Sequence, residues 1–161
     1  MNTTLSTAIV NESNLNSLLP ILEAYGIYMY RELGLIAGKE KFDKEMNDFP
    51  LKKYSWPLGC FLLAYYGDEV VGCVGLSKYD DNNCELKRMY TMPAYRQKGI
   101  AHKMVTDAIA IARQLGYKNI LLDTNKEMAG AVSLYNKMGF EEIPAWCENE
   151  NPNPVYFKYV L

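Results

Sequence analysis

Histidine is almost missing from this chain: His102 is the only one in 161 residues. The four cysteines, Cys60, Cys73, Cys84 and Cys147, form no Cys-x-x-Cys pair. One imidazole and scattered thiols cannot assemble a zinc site at workable spacing, so no metal is expected. An excess of one charge is also lacking. Seventeen Lys and Arg stand against nineteen Asp and Glu, for a formal charge of −2. Duplex binding needs a strongly basic surface, so nucleic acid is not an expected partner. No apolar run approaches the roughly 20 residues needed to cross a bilayer, which removes the membrane as a partner. The segment Met1–Val10 lacks the basic-then-apolar order of a signal peptide. The sequons at Asn2 and Asn11 therefore read as chance. A reducing, cytoplasmic location suits free thiols best.

What the chain does contain is enough to build a core. The hydrophobic share is 49%, and the length suits one domain spanning residues 1–161. No repeat, low-complexity tract or interdomain linker interrupts it. Thr7–Val10 reads as a first strand. Leu15, Leu18, Leu19, Leu22 and Ile27 recur at helical spacing, which predicts a helix from Asn14 to about Leu33, with Pro20 either in its first turns or at its true start. Gly34 and Gly38 break the chain, Lys39–Asn47 reads as a short helix, and Pro50, Pro57 and Gly59 mark a loop.

Three strand signals follow. Cys60–Tyr66 and Val70–Leu76 flank the turn Gly67-Asp68 and read as a hairpin. After the turn Asp80–Asn83 comes Cys84–Thr91. Its apolar pattern is irregular, because Leu86 and Met89 are three apart and strict alternation would put them on opposite faces. A bulge would reconcile them, and a plain strand end is the alternative. Beyond Pro93 the period changes to a helical stripe from Ile100 to Leu115, closed by Gly116. Asn119–Asp123 reads as a strand, Ala129–Met138 as a helix closed by Gly139, and Val155–Val160 as a last strand. Hairpins first and a strand–helix–strand unit after them predict an α+β fold. Its sheet should be mixed and mostly antiparallel, with helices on both faces.

The segment from Glu85 to Ala101 carries the chemistry. A strand runs into a basic turn and then directly into an amphipathic helix. The first helical turn offers free backbone N–H groups and the positive end of the helix dipole, which suit a phosphate. Two common phosphate loops do not apply. Lys98-Gly99-Ile100 lacks the Gly-Lys-Ser/Thr order of a Walker loop, and no GxGxxG follows a strand. A solvated helix start remains the other reading of the basic turn.

Arg96-Gln97-Lys98-Gly99-Ile100-Ala101 resembles the pyrophosphate-binding pattern of the GNAT N-acetyltransferases: Gln or Arg, two residues, Gly, one residue, then Gly or Ala. The preceding Glu85-Leu86-Lys87-Arg88-Met89-Tyr90-Thr91 is similar to that family's strand. Ala131-Val132-Ser133-Leu134-Tyr135-Asn136-Lys137-Met138-Gly139-Phe140 resembles its Ala-x-x-Leu-Tyr-x-x-x-Gly-Phe helix, and Leu122-Asp123-Thr124 also fits. The resemblance is dense from about Cys60 to Glu142. It implies acetyl-coenzyme A as co-substrate and an amine as acceptor. The backbone of Met89, Tyr90 and Thr91 would pair with the pantetheine arm. The amides of Gln97, Lys98, Gly99, Ile100, Ala101 and His102 would hold the pyrophosphate, with Arg96 positioning the loop. Tyr135 would protonate the departing thiolate, its other reading being a core aromatic. Met128 stands where many members carry a cofactor-contacting Asn, a departure that puts that contact in doubt.

An attacking amine must first lose a proton. Glu85, where the family often places such a residue, is the candidate base, against a plain surface charge; His102 fits a solvent or phosphate-side role better. The acceptor, a small molecule or a peptide amine, would meet residues of the variable segments: Tyr25, Tyr28, Tyr30, Arg31 and Glu32 early, Trp146, Glu148 and Glu150 late. A non-catalytic acyl-coenzyme A binding or sensing module is the rival reading, and a homodimer is left open.

Overall fold

A computed structural model describes residues 3–49 and 51–161. Asn2 of the first sequon and the loop marker Pro50 lie outside the described residues. Strand β1 (Leu5–Ile9) leads into helix α1 (Leu15–Ile27) and α2 (Lys39–Asn47). Strands β2 (Cys60–Tyr66), β3 (Glu69–Lys78) and β4 (Asn83–Thr91) follow. Then come α3 (Ile100–Gln114), β5 (Asn119–Asn125), α4 (Ala129–Lys137), β6 (Glu141–Glu142) and β7 (Pro154–Val160). The strands form one sheet in the order β1-β2-β3-β4-β5-β7-β6, with β4 and β5 parallel and all other neighbours antiparallel. The expected α+β class and mostly antiparallel sheet are therefore present. The two-residue strand β6 carries no sequence signal.

Helices cover both faces. On one, Ile100, Met104, Val105, Ala108, Ile109 and Ala112 of α3 pack with Leu62, Leu76, Leu86, Ile120 and Leu122 of the sheet and with Tyr135 of α4. Their spacing of three and four residues keeps one stripe of α3 on the sheet. On the other face, Leu18, Ile21, Leu22 and Tyr25 of α1 and Phe42 of α2 pack with Phe61, Leu63, Cys73 and Tyr90. Covering both sides explains why the first five residues of β2 are all buried. Cys60, Cys73 and Cys84 are free and buried in strands β2, β3 and β4, as small hydrophobes.

Pro20 takes the first of its two expected places, in the second turn of the helix, since α1 begins five residues earlier. Proline has no N–H, so the carbonyl four residues back is left to solvent, and Pro20 is on the exposed side. The helix does not run as α-helix to Leu33. It widens at Tyr28 into a π-helical turn ending at Glu32. In that turn Tyr28 packs on Tyr90 (ring centroids 5.8 Å apart) and Tyr30 packs on Phe42 (5.5 Å).

The irregular pattern of β4 does come from a bulge. Cys73 pairs with Tyr90 and Gly75 with Lys87, so Val74 alone faces two residues, Arg88 and Met89. The extra residue returns Met89 to the α3/α4 face with Leu86. Arg88 sits at φ +56, a left-handed conformation that costs a non-glycine residue about 1–2 kcal/mol. Side-chain bonds hold it there. Its Nη2 and Nε donate to Oε2 of Glu45 on α2 at 2.7 and 3.2 Å, its Nη1 donates to the Tyr25 hydroxyl at 3.4 Å, and its guanidinium lies 5.0 Å from the Phe42 ring centre. Both partners are largely buried, at 10% and 14% side-chain exposure. Burial works against ionisation of Glu45, but Arg88 and Lys53 win and hold its carboxyl below the usual glutamate range.

Removing one partner of a buried ion pair strands the other charge, at a cost of about 3–5 kcal/mol. Arg88→Ala is therefore expected to lower the unfolding free energy by about that amount in urea titrations. The double variant with Glu45→Ala should lose less than the sum of the two singles.

Candidate active site

Strands β4 and β5 run side by side for only three pairs, Asn83–Asn119, Cys84–Ile120 and Glu85–Leu121. Beyond that point β4 continues to Thr91 along β3, and β5 continues to Asn125 along β7. The strands part and leave a wedge. Along one side runs the unpaired edge of β4 from Leu86 to Thr91, whose backbone groups need a partner. Two cavities open from the wedge, of about 510 and 570 Å³. Both are walled by Met89, Met128 and Ala131, so they meet there.

The smaller cavity gathers groups of a kind that suit an anion. Its wall includes Tyr90, Thr91, Arg96, Gln97, Gly99 and His102. Gln97 at φ +61 and Gly99 at φ +79 turn the chain sharply into α3. Left-handed residues in such a turn make successive N–H groups converge, a nest suited to negatively charged oxygens. Gly99 is the N-cap of α3 and supplies no side-chain bond to it. Among the described residues, the N–H groups of Gln97, Gly99, Ile100, Ala101 and His102 find no acceptor; Lys98 closes the turn over Arg96 and Gln97, and the first helical bond is Lys103 N–H to the Gly99 carbonyl. A Cβ at Gly99 would find no atom within 4 Å, so the space above it is open.

Arg96 holds the turn to the strand. Its Nε donates to the Thr91 carbonyl at 3.1 Å, and its guanidinium lies 4.4 Å from the Tyr28 ring centre. The Lys98 side chain lies instead beside Tyr66, 5.7 Å from the ring centre, and is not on the cavity wall. His102 is exposed on the first turn of α3. The facing wall is the start of α4, from Met128 to Ala131, so two helix N-termini border one cavity. Met128 caps α4 without a side-chain bond, and its sulfur accepts from the Thr124 hydroxyl at 3.6 Å.

The larger cavity lies beyond the methionines. Tyr135 reaches it from α4, with its ring packed against Phe140 and Phe157 and its hydroxyl 3.6 Å from the Met89 sulfur. Burial drives its phenol well above the ordinary tyrosine value, with Tyr25 and Asp123 adding to the shift, so it stays protonated through the physiological range. Glu85 also lines this cavity and pairs with Lys87 at 3.1 Å. Tyr25, Tyr30, Trp146, Glu148 and Glu150 reach the wall, whereas Tyr28 lines the smaller cavity and Arg31 and Glu32 line neither.

Two residues of this wall escaped the candidate list. Asp123 appeared only inside a motif; the signal was a carboxylate directly after the apolar run Ile120–Leu122. It is mostly buried, and burial raises its carboxyl, against the lowering effects of Lys87 and of an Asn149 hydrogen bond. Cys147 is the other. Burial pushes its thiol up to about 12, with Asp123 and Glu85 adding, which keeps it protonated and weakly nucleophilic.

Comparison with known proteins places residues 26–140 in the sequence pattern described as the acetyltransferase (GNAT) family. The chain is 36% identical over 116 residues to the uncharacterized N-acetyltransferase YjgM of Escherichia coli K12, covering 70% of each. It is 32% identical over 132 residues to the uncharacterized N-acetyltransferase C1271.07c of Schizosaccharomyces pombe, covering 80% of this chain and 79% of that one. Among solved structures, a GNAT-family acetyltransferase from Elizabethkingia anophelis with acetyl-CoA bound superposes with a TM-score of 0.68 at 19% identity, over 98% of each chain.

Proposed function

The chain belongs to the acetyltransferase (GNAT) family and is an acyltransferase, and from that premise we propose that it moves the acetyl group of acetyl-coenzyme A directly to a primary amine. Tyr135 is the general acid in this reading and Glu85 the base. The observation that carries it is the set of five unpartnered amides between Gln97 and His102, opening onto a wedge between parting strands. A diphosphate fits there for three reasons: converging N–H groups, two helix N-termini, and open space above Gly99. The free edge of β4 at Met89, Tyr90 and Thr91 offers backbone partners to an extended, amide-bearing arm. Met128 gives the arm apolar contact in place of an amide.

When bound, acetyl-coenzyme A supplies an activated thioester carbonyl. The protein's part is to bring an amine to it, take a proton from nitrogen and give one to sulfur. Glu85 lines the acceptor cavity and takes the first proton through a water, because Lys87 already occupies one side of its carboxylate. Tyr135, kept neutral by burial, gives its proton to the departing thiolate. Cys147, the thiol on this wall, stays protonated and is a poor covalent acyl carrier. We read residues 1–161 as a single domain organised around this transfer.

A thiol-release screen across polyamines, amino acids, aminoglycosides and peptide N-termini tests the function. Release with at least one amine is expected, and tight coenzyme A binding without release from any would favour a sensing module instead. Tyr135→Phe is expected to lower kcat by about a hundredfold or more while calorimetry finds coenzyme A affinity nearly unchanged. An unaltered kcat would remove the acid role. Gly99→Glu, which sets a negative charge among the open amides, should abolish the heat of coenzyme A binding.

A further inference from the structure

A carboxylate held out of water is normally neutralised by a cation or by several hydrogen bonds. Asp123 has neither in full. Among the described residues no Lys or Arg comes within 4 Å of it, and one side-chain bond reaches it, from Asn149 Nδ2 to Oδ2 at 3.0 Å. Its position is set by the parting strands. Ile120 and Leu122 turn into the α3 core, so alternation puts Leu121 and Asp123 on the opposite face of β5. Cys84 and Leu86 do the same on β4, leaving Glu85 and Lys87 on that opposite face. With Glu85 paired to Leu121, Asp123 is the first residue of β5 on that face beyond the point of separation.

Of the cations on this wall, Lys87 pairs with Glu85 and Arg88 with Glu45, while Lys41 stands exposed at the rim, more than 4 Å from Asp123. Facing the same cavity are Glu148 and Glu150, with Tyr25, Tyr30 and Trp146 supplying aromatic surface. The loop that carries these late residues is tied down. Asn149 Oδ1 accepts from Asn151 N–H at 3.1 Å, Asn151 Oδ1 accepts from Ala37 N–H at 3.1 Å, and Trp146 Nε1 donates to the Leu122 carbonyl at 3.3 Å. Asn149 therefore belongs to a strap joining β5, the tail loop and the α1–α2 connection, and it fixes one oxygen of Asp123.

We infer that Asp123 docks the acceptor as its ammonium ion, with Asn149 as a positioning residue, so that the enzyme selects cationic primary amines. The inference rests on the reading of the chain as an amine acetyltransferase. Docking moves no proton. The bound ammonium supplies the missing counter-ion, and aromatic walls favour a cation carried on an apolar or extended body. It then gives one proton to Glu85, which frees the nitrogen lone pair for attack on the thioester carbonyl; as the C–S bond breaks, Tyr135 protonates sulfur and the second nitrogen proton restores the phenol. Burial of Asp123 makes its unpaired charge costly, which strengthens the preference for a cation.

The test uses the whole protein saturated with coenzyme A and labelled with ¹³C at the aspartate carboxyls. The Asp123 resonance, identified by its loss in Asp123→Asn, should shift saturably with phenethylammonium, spermidine or alaninamide and stay fixed with 2-phenylethanol. In thiol-release kinetics with the same three amines, Asp123→Asn should raise the acceptor KM by about tenfold or more. It should leave the KM for acetyl-coenzyme A within about twofold, and Asp123→Glu should recover part of the loss. Asparagine can still accept the Asn149 bond through its carbonyl, so the strap is preserved. No shift with any of the three amines, or an acceptor KM unchanged in Asp123→Asn, overturns the assignment. A saturable shift without thiol release would sink the transferase reading and leave the docking role standing.

Discussion

The separation of β4 from β5 is the constraint on which the rest of the molecule depends. A strand inside a sheet normally satisfies its backbone on both sides. Here β4 does so only as far as Glu85, and from Leu86 onward one edge is left for something other than a strand. The bulge at Arg88 adds local twist as the chain leaves its neighbour, and the contacts to Glu45, Tyr25 and Phe42 keep a left-handed arginine in place. The packing device on the α1/α2 face thus also borders the opening, since Tyr25 and Arg88 line the larger cavity.

The wedge also separates charge. Its α3 end offers N–H groups, helix N-termini and Arg96, all suited to negative oxygens. Its other end carries Glu85, Asp123, Glu148 and Glu150, with Lys41, Lys87 and Arg88 on the same wall, the last two paired with Glu85 and Glu45. The net charge of −2 conceals this, since near-balance over the chain says nothing about balance within one cleft. Tyr135 and the two methionines stand between, in surroundings poor in charge, where a neutral acid keeps its proton.

Much of this was legible in the sequence because it is written in local pattern. The stripe from Ile100 to Ala112, the turn at Gly99 and the three-residue gap between Leu86 and Met89 each depend on neighbours a few positions away, and each appears where the pattern put it. The π-helical turn at Tyr28–Glu32 did not show, because it answers to Tyr90 and Phe42, which are distant in sequence. Pro20 left two readings open for a related reason, since only the anchoring of the helix by Leu18, Ile21 and Leu22 decides that a solvent-facing proline is tolerated in its second turn. Asp123 was hardest to see. What makes it notable is that, among the described residues, no Lys or Arg lies within 4 Å of it, and only the folded arrangement shows that.

The meeting of the two cavities at Met89, Met128 and Ala131 bears on traffic. Each chamber has its own approach, and the shared partition is made mainly of thioether side chains, which are unbranched and change rotamer readily. A long donor lying along one approach leaves the other clear, so an acceptor need not wait for the spent carrier to depart before entering. On the proposed reading, the architecture therefore suits an enzyme that holds both reactants at once.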